Sequence, residues 1–287
     1  MSQLKTLDIE RDRLKIEVVV DSNYNSFLHV GAPKDPLSEK DQPIAKVDTI
    51  PIIPATSFKG ALRYQLEWFF IGNLDTLAKD FGIDDNSKDI LRPCIPASDP
   101  TDAEKDLLDK YRRQCRGDNL IGNCFINIEQ KRILLPIYNN NTLGICPVCY
   151  FMGSQSIMGF LRIYNLKCIS NDPIIDHTII RNDRSTNTAA KGSKADTEQV
   201  KWDTKFEGII EIIKDDKKFV FGEPRKINNT TIDIWLDKWK KKEKDLEKRR
   251  EYLIDKILIP CIENIKELGG HKSKGSGKVN VKVSKIS

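Results

Sequence analysis

The chain has 287 residues, of which 39% are hydrophobic and 31% are charged. That length can bury one large core or two modest ones, and no stretch is long and apolar enough to span a bilayer. The first residues lack the apolar segment of a signal peptide, so we expect a cytoplasmic protein with no membrane partner. The net charge of +5 permits a nucleic-acid partner without requiring one.

The first third of the chain predicts a strand, a loop and a helix. Residues 14–20 alternate apolar and polar side chains, which is typical of a strand with one buried face. A loop is expected from Asp21 to about Pro51, and Thr56 or Ser57 could cap the helix that follows. The apolar face of that helix consists of Phe58, Leu62, Leu66, Phe69 and Phe70.

The middle of the chain is less regular. Residues 83–145 contain several prolines and three cysteines, so we expect a long insertion there instead of core structure. Strands are predicted at 160–169 and 206–213, where apolar residues are frequent. The polar stretch 182–200 between them has no core pattern and predicts a protruding loop.

The last part of the chain predicts a helix and a closing strand. A sparse apolar stripe indicates one helix over 233–259, and the charged run Lys240–Arg250 is expected to be a solvated face of it. Val279, Val281 and Val283 alternate with polar residues, which predicts a final strand.

This order of elements predicts an α+β fold, in which an antiparallel sheet packs on helices. A ferredoxin-like or RRM-like arrangement is one common solution of this kind, and it also forms the sheet of many RNA-binding modules.

The pair Cys146-Pro-Val-Cys149 has the spacing of a tight turn around a tetrahedral metal. Without a secretory signal, a disulfide framework is not expected for seven cysteines. The pattern predicts a structural zinc site, while buried thiols or a redox pair are the alternatives. The predicted ligands are Cys115, Cys124, Cys146 and Cys149, with Cys94 and His29 as alternative ligands.

A glycine-lysine run lies just before the closing strand. Exposed backbone N–H groups beside lysines can hold phosphates, although such a run is more often a flexible basic loop. The candidate contacts in this run are Gly269, Gly270, His271, Lys272, Ser273, Lys274 and Gly275.

The start of the first helix is a second candidate anion site. Thr56, Ser57 and Lys59 lie at a helix N-terminus, where the backbone N–H groups favour anions. The alternative is an ordinary helix start, with Lys59 and Arg63 facing solvent.

Three segments in sequence order resemble motifs of the RAMP superfamily of CRISPR proteins. Residues 53–63 (IPATSFKGALR) resemble its helix-opening motif, and residues 268–279 (LGGHKSKGSGKV) resemble its glycine-rich loop. Residues 146–154 (CPVCYFMGS) are similar to an element of the repeated backbone subunit of type III (Csm/Cmr-like) effector complexes.

The resemblance implies a subunit that binds CRISPR guide RNA (crRNA) and cleaves complementary target RNA in antiviral defence. Its partners would be crRNA, target RNA, other effector subunits and further copies of itself along the guide. It implies a single RAMP domain over 1–287, with a zinc-binding lid at 83–150, a thumb-like β-hairpin at 182–203 and a helical segment at 230–268.

The resemblance also assigns residues. Asp41 in the segment Asp-Gln-Pro-Ile is the predicted catalytic aspartate, with Asp35 as its rival and Mg²⁺ or another divalent cation as its cofactor. The predicted RNA contacts are Thr56, Ser57, Lys59, Arg63, the thumb residue Arg184, and the residues Gly269 to Gly275 of the glycine-lysine run.

Other functions stay open from the sequence. The same subunit could be purely structural, with a silent aspartate. A stand-alone RAMP endoribonuclease that processes CRISPR transcripts would depend on an early histidine, for which His29 is the candidate. A zinc-stabilised RNA-binding module unrelated to CRISPR is a further alternative.

Overall fold

The computed structural model describes residues 9–23, 26–32, 40–94, 124, 127–129, 132–134, 137–138, 141–154, 157–183, 185–186 and 188–286. Of the helices in these ranges, none has the length and apolar character needed to cross a membrane. The chain divides into two compact units. The first comprises Met1–Asp12, Arg63–Arg162 and Glu211–Cys261, and the second comprises Arg13–Leu62, Ile163–Ile210 and Ile262–Ser287.

The described residues form strands and helices as follows. The strands are β1 (Glu10–Val20), β2 (Lys46–Val47), β3 (Ile50–Ile53), β4 (Asn127–Glu129), β5 (Arg132–Leu134), β6 (Ile137–Tyr138), β7 (Asn141–Thr142), β8 (Leu161–Ile163), β9 (Leu166–Cys168), β10 (Ile174–Asn182), β11 (Ala189–Val200), β12 (Lys205–Asp215), β13 (Lys226–Ile227), β14 (Thr230–Thr231) and β15 (Val279–Ile286). The α-helices are α1 (Ala55–Gly72), α2 (Leu74–Phe81), α3 (Pro147–Met152), α4 (Ile234–Lys242), α5 (Leu246–Glu251) and α6 (Ile259–Glu263). Two 3₁₀ turns lie at Asp85–Leu91 and Lys272–Lys274, and a π-helical segment at Tyr252–Leu258.

One sheet contains seven strands in the order β15-β1-β12-β9-β3-β2, with β8 paired to β12. The pairs β1–β15, β9–β12, β3–β9 and β2–β3 are antiparallel. Together with the helices, this sheet confirms the predicted α+β class.

The alternating patterns at both ends of the chain pair with each other. Val18 lies opposite Val281, and Val20 lies opposite Val279. Every second residue of β1 from Leu14 to Val20 is almost completely buried, because these side chains face the core. The predicted first and last strands are therefore confirmed as neighbours in the sheet.

Strands β10 and β11 form a long antiparallel hairpin, from Ile174 opposite Val200 to Asn182 opposite Ala189. The prediction of a loop over 182–200 was wrong, because β11 occupies most of that range. The pattern misled because polar residues occupy the buried end of β11, where Thr197 and Gln199 lie.

The single helix predicted over 233–259 was also wrong. The chain leaves the helix at Glu243, and α5 begins where the Asp245 side chain accepts hydrogen bonds from the N–H groups of Glu247 and Lys248. A π-helical segment then leads to α6. Pro260 has no N–H to donate, so a regular ladder cannot continue through it.

The expectation of a solvated face at Lys240–Arg250 fails at its last two residues. Arg249 is fully buried and donates to the carbonyl of Gly222 at 2.8 Å, while Arg250 is 8% exposed and donates to that of Phe221 at 2.9 Å. Because buried guanidinium groups must be hydrogen-bonded, these arginines hold α5 against residues 221–222 within the first unit.

Candidate functional site

Four cysteines of the first unit lie together at the start of α3. The sulfur atoms of Cys94, Cys124, Cys146 and Cys149 all lie within 4.8 Å of one another, and all four residues are buried. Cys146 is the N-cap of α3, and its sulfur accepts the N–H of Cys149 at 3.3 Å. The N–H of Cys146 in turn donates to the sulfur of Cys124 at 3.2 Å.

The four sulfurs fit a tetrahedral zinc ion. Zinc–sulfur bonds of about 2.3 Å place tetrahedral sulfur ligands about 3.8 Å apart. The sulfurs of Cys94 and Cys149 are 3.4 Å apart, and each of the four sulfurs lies within 4.8 Å of the others. Zinc bound by these residues would supply a structural cross-link between segments that are distant in the sequence.

The pKa values of the clustered thiols move in different directions, because those of Cys94 and Cys149 are raised and that of Cys146 is lowered. Hydrogen bonding with Cys124 is the largest cause that raises the pKa of the Cys94 and Cys149 thiols, and burial raises both further. Four close, buried thiolates repel one another, so the full set is ionised only when a metal balances the charge.

The predicted ligands Cys124, Cys146 and Cys149 are therefore brought together. Cys94, an alternative ligand from the sequence, supplies the fourth sulfur. Cys115 lies outside the described residues. His29, the other alternative, makes its contacts in the second unit.

Arg63 is also part of the cysteine region. One guanidinium nitrogen donates to the Cys149 sulfur at 3.8 Å, and the other donates to the Gly153 carbonyl at 2.9 Å. Burial lowers the pKa of the guanidinium, but the nearby sulfurs outweigh this effect and the net pKa is raised. The predicted contact of Arg63 with RNA phosphate stays a prediction.

In the second unit, the loop after β1 lies against β11. The exposed Asp41 accepts the N–H of Asp196 on its carboxylate at 3.1 Å, and its own N–H donates to the Asp196 carbonyl at 3.0 Å. Lys46 on β2 pairs with Glu198 at 2.8 Å. The carboxylate of Asp41 is thus held against β11 near the middle of the β10–β11 hairpin, where Asp196 lies. Asp35 lies outside the described residues.

His29 joins the same loop to the glycine-lysine run. Its Nδ1 is 2.9 Å from the Glu198 carbonyl oxygen, and because a carbonyl only accepts, Nδ1 carries the proton. The carbonyl of His29 accepts the N–H of Gly270 at 2.8 Å. The ring of His29 lies 5.0 Å from that of His271, measured between centroids.

The glycine-lysine run is an ordered turn with exposed lysines. His271 and Gly275 both have positive φ and flank the 3₁₀ turn Lys272–Lys274, whose three side chains are exposed. The Ser26 hydroxyl donates to the Gly275 carbonyl at 3.2 Å and so fastens the turn to the loop after β1. The turn offers lysines to solvent from a fixed backbone.

The start of α1 is the remaining predicted site in the second unit. The helix begins at Ala55, whose N–H donates to the Asn165 side chain at 2.8 Å. Thr56 and Ser57 therefore lie within the first turn and do not cap it, which corrects the prediction by one or two residues. Thr56 and Lys59 are exposed, so both can reach a ligand.

His29 thus joins the glycine-lysine run to β11, because its carbonyl accepts from Gly270 and its Nδ1 donates to the Glu198 carbonyl. Asp41 bonds to Asp196 of the same strand. Sequence reasoning missed the roles of these two acids. A pattern cannot reveal them, because the contacts join segments distant in the sequence. Arg184 lies outside the described residues.

Comparison with known proteins gives one family. The model of the RAMP superfamily matches residues 25–280. No curated protein matches the sequence. A solved structure described as the Type III-B Cmr-beta bound to cognate target RNA is similar at 9% identity and a TM-score of 0.47, covering 97% of this chain and 61% of that chain. The chain therefore spans less than two thirds of the length of that solved chain. Because the family match extends over most of the sequence, this chain belongs to the RAMP superfamily.

Proposed function

We propose that this chain is a backbone subunit of a type III (Csm/Cmr-like) CRISPR effector complex, where it binds crRNA and cleaves complementary target RNA. Family membership and the order of the three motifs support this function. The observation that carries it is the loop after β1. This loop places Asp41 against the hairpin and His29 against the glycine-lysine run.

The lysines of the second unit would bind the guide backbone. Lys272 and Lys274 are exposed on an ordered turn, and Lys59 is exposed in the first turn of α1. Such contacts grip phosphates without reading bases, so sequence specificity would come from pairing with the guide. The glycines allow an RNA backbone to approach the turn closely.

Asp41 would position the reacting strand or hold a divalent cation such as Mg²⁺. A carboxylate ionised at neutral pH is a weak general base, so positioning is the more effective contribution. The 2′-OH of the target would attack the adjacent phosphorus, and the bond from phosphorus to the 5′-oxygen would break. The 2′-OH proton passes to solvent, and the departing 5′-oxygen takes up a proton.

The β10–β11 hairpin would act as the thumb that splays one target nucleotide and so aligns its 2′-OH. Its exposed Ile180 and its polar surface suit contact with a nucleic-acid duplex. The subunit would repeat along the guide and contact other subunits of the complex. Its sheet would have a ferredoxin-like arrangement, and residues 83–150 would form the cysteine-bearing lid.

A stand-alone endoribonuclease that uses His29 is less well supported. His29 is 8% exposed, and its backbone carbonyl accepts the N–H of Gly270 in the glycine-lysine run. These contacts favour a role in holding the glycine-lysine run over a role in proton transfer.

The test is an assembled complex incubated with guide-complementary RNA, with and without Mg²⁺. Evenly spaced products that need Mg²⁺ support the proposal, and an intact target indicates a purely structural subunit. Cleavage of repeat RNA by the isolated chain would instead support a stand-alone processing enzyme.

A further inference from the structure

The contacts of Arg63 differ from those its sequence motif predicts. The side chain is 21% exposed and reaches the cysteine cluster of the first unit. It donates to the Cys149 sulfur at 3.8 Å and to the Gly153 carbonyl at 2.9 Å. A guanidinium that already makes these two contacts has less freedom to bind an external phosphate.

These two contacts lie at opposite ends of α3. Cys149 is in its first turn, next to the N-cap Cys146, and Gly153 follows its last residue. A planar guanidinium with several fixed donors can bridge both points, which an ammonium group cannot do in the same geometry. Arg63 therefore fixes α3, and with it two of the four sulfurs, relative to the part of α1 that lies in the same unit.

The charge of Arg63 suits a metal centre. Zinc held by four thiolates carries a net negative charge, which is costly to bury. Two sulfurs already accept backbone N–H groups, and Arg63 adds a cationic donor at a third. The buried Glu67 forms an ion pair with the guanidinium at 3.9 Å, so the charge of Arg63 faces this carboxylate as well as the sulfurs.

We propose that Arg63 is a positioning residue of the four-cysteine centre, which it stabilises by neutralising Cys149 and by holding α3 in place, and that it is not a phosphate contact. The inference rests on the metal centre and is independent of RNA cleavage. Outer partners of metal ligands commonly change metal affinity by about 10- to 100-fold when they are removed.

The test compares zinc release from the full-length chain in the presence of excess chelator. Arg63→Gln should release zinc about tenfold faster or more than the wild type. Arg162 donates to the carbonyls of Gly159 and Leu161 in the same unit, so Arg162→Gln is a matched control that should release zinc at the wild-type rate. In cobalt-substituted protein, Arg63→Gln should also change the thiolate-to-cobalt absorption.

The outcomes are distinct. Equal release rates for Arg63→Gln and the wild type would overturn the inference, and so would wild-type protein that holds no metal. If Arg63→Gln lowers RNA affinity but leaves zinc release unchanged, Arg63 contacts phosphate. Lys59→Gln shows the loss of RNA affinity that removal of a proposed phosphate contact causes. If Arg63→Gln fails to fold, Arg63→Lys replaces it: faster release supports the inference, and the wild-type rate contradicts it. Guide RNA binding by the wild type, measured separately, tests the proposed function.

Discussion

His29 and His271 lie ring beside ring, 5.0 Å apart and tilted by 53°, although one follows the first strand and the other precedes the last. Their backbones are joined as well, because the His29 carbonyl accepts the N–H of Gly270. Burial lowers the pKa of His271, and the neighbouring His29 and Lys274 lower it further. The stability of the fold is therefore expected to respond to the protonation of His271, which flanks the exposed turn.

The first prediction concerns this response. Because the folded state resists protonation of His271, the unfolded state binds its proton first as the pH falls through 6.5. Stability should therefore decrease between about pH 7.5 and pH 5.5, and His271→Asn should remove part of the decrease. Asparagine tolerates the positive φ of this position. The midpoints of urea unfolding at both pH values measure the change in stability. An equal decrease in the wild type and in His271→Asn would contradict the prediction.

The second prediction concerns Gly269. This residue has a φ of +75°, and a Cβ atom here would lie 2.3 Å from the His29 carbonyl oxygen. Gly269→Ala should therefore lower the free energy of unfolding by roughly 1–3 kcal/mol and loosen the turn. Chemical denaturation measures this change.

Gly60 provides the opposite case as a control. It lies within α1, and a Cβ atom would meet nothing within 4 Å. Gly60→Ala should raise the free energy of unfolding by about 0.5–1 kcal/mol, because alanine loses less backbone entropy in a helix. Equal changes in the free energy of unfolding for Gly269→Ala and Gly60→Ala would contradict the close approach of Gly269 to the His29 carbonyl oxygen.

The third prediction concerns the metal. Purified protein should contain zinc, and Cys94→Ser should reduce both the zinc content and the melting temperature, because the metal cross-links the first unit. Cys168→Ser is the control, since Cys168 is only partly buried and lies outside the cluster. Elemental analysis measures the zinc content, and thermal unfolding measures the melting temperature. Equal zinc loss in Cys94→Ser and Cys168→Ser would contradict the assigned ligands.

Much of the sheet could be predicted because one buried face imposes alternation. β1 shows the period of two from Leu14 to Val20 and β15 shows it from Val279 to Val283, and their pairing buries apolar residues. β11 lacks the pattern, because Thr197, Glu198 and Gln199 are buried next to Val200. Its pairing with β10 is a backbone contact that polar side chains do not reveal.

The prediction of a single helix over 233–259 failed for a local reason. The Asp245 side chain could have been recognised as a cap, but the surrounding lysines and glutamates all favour helix and hide the break. The burial of Arg249 depends on carbonyls at Gly222 and Glu243, which only the folded chain brings near.

The candidate sites were predictable in part. The spacing of Cys146 and Cys149 indicated a metal, and Cys94 was among the alternatives, but the choice of the fourth sulfur needs the tertiary structure. The motif around Arg63 predicts an RNA contact, which stays a prediction, and the structure adds a contact of this side chain with Cys149. A motif fixes residue types at a spacing, and the packing around it decides which way each side chain points.

The central claim is that Asp41 takes part in target cleavage from its place against the β10–β11 hairpin. Asp203 is an exposed aspartate of the same unit with a φ of 59°, so Asp203→Asn is a tolerated control. The decisive measurement is the rate of guide-directed target cleavage in assembled complexes that contain Asp41→Ala, Asp203→Asn or the wild-type chain, at equal occupancy of crRNA and target RNA. The account predicts that cleavage falls by about 100-fold or more with Asp41→Ala and is unchanged with Asp203→Asn. Cleavage by Asp41→Ala at the wild-type rate, with target RNA bound normally, would contradict it.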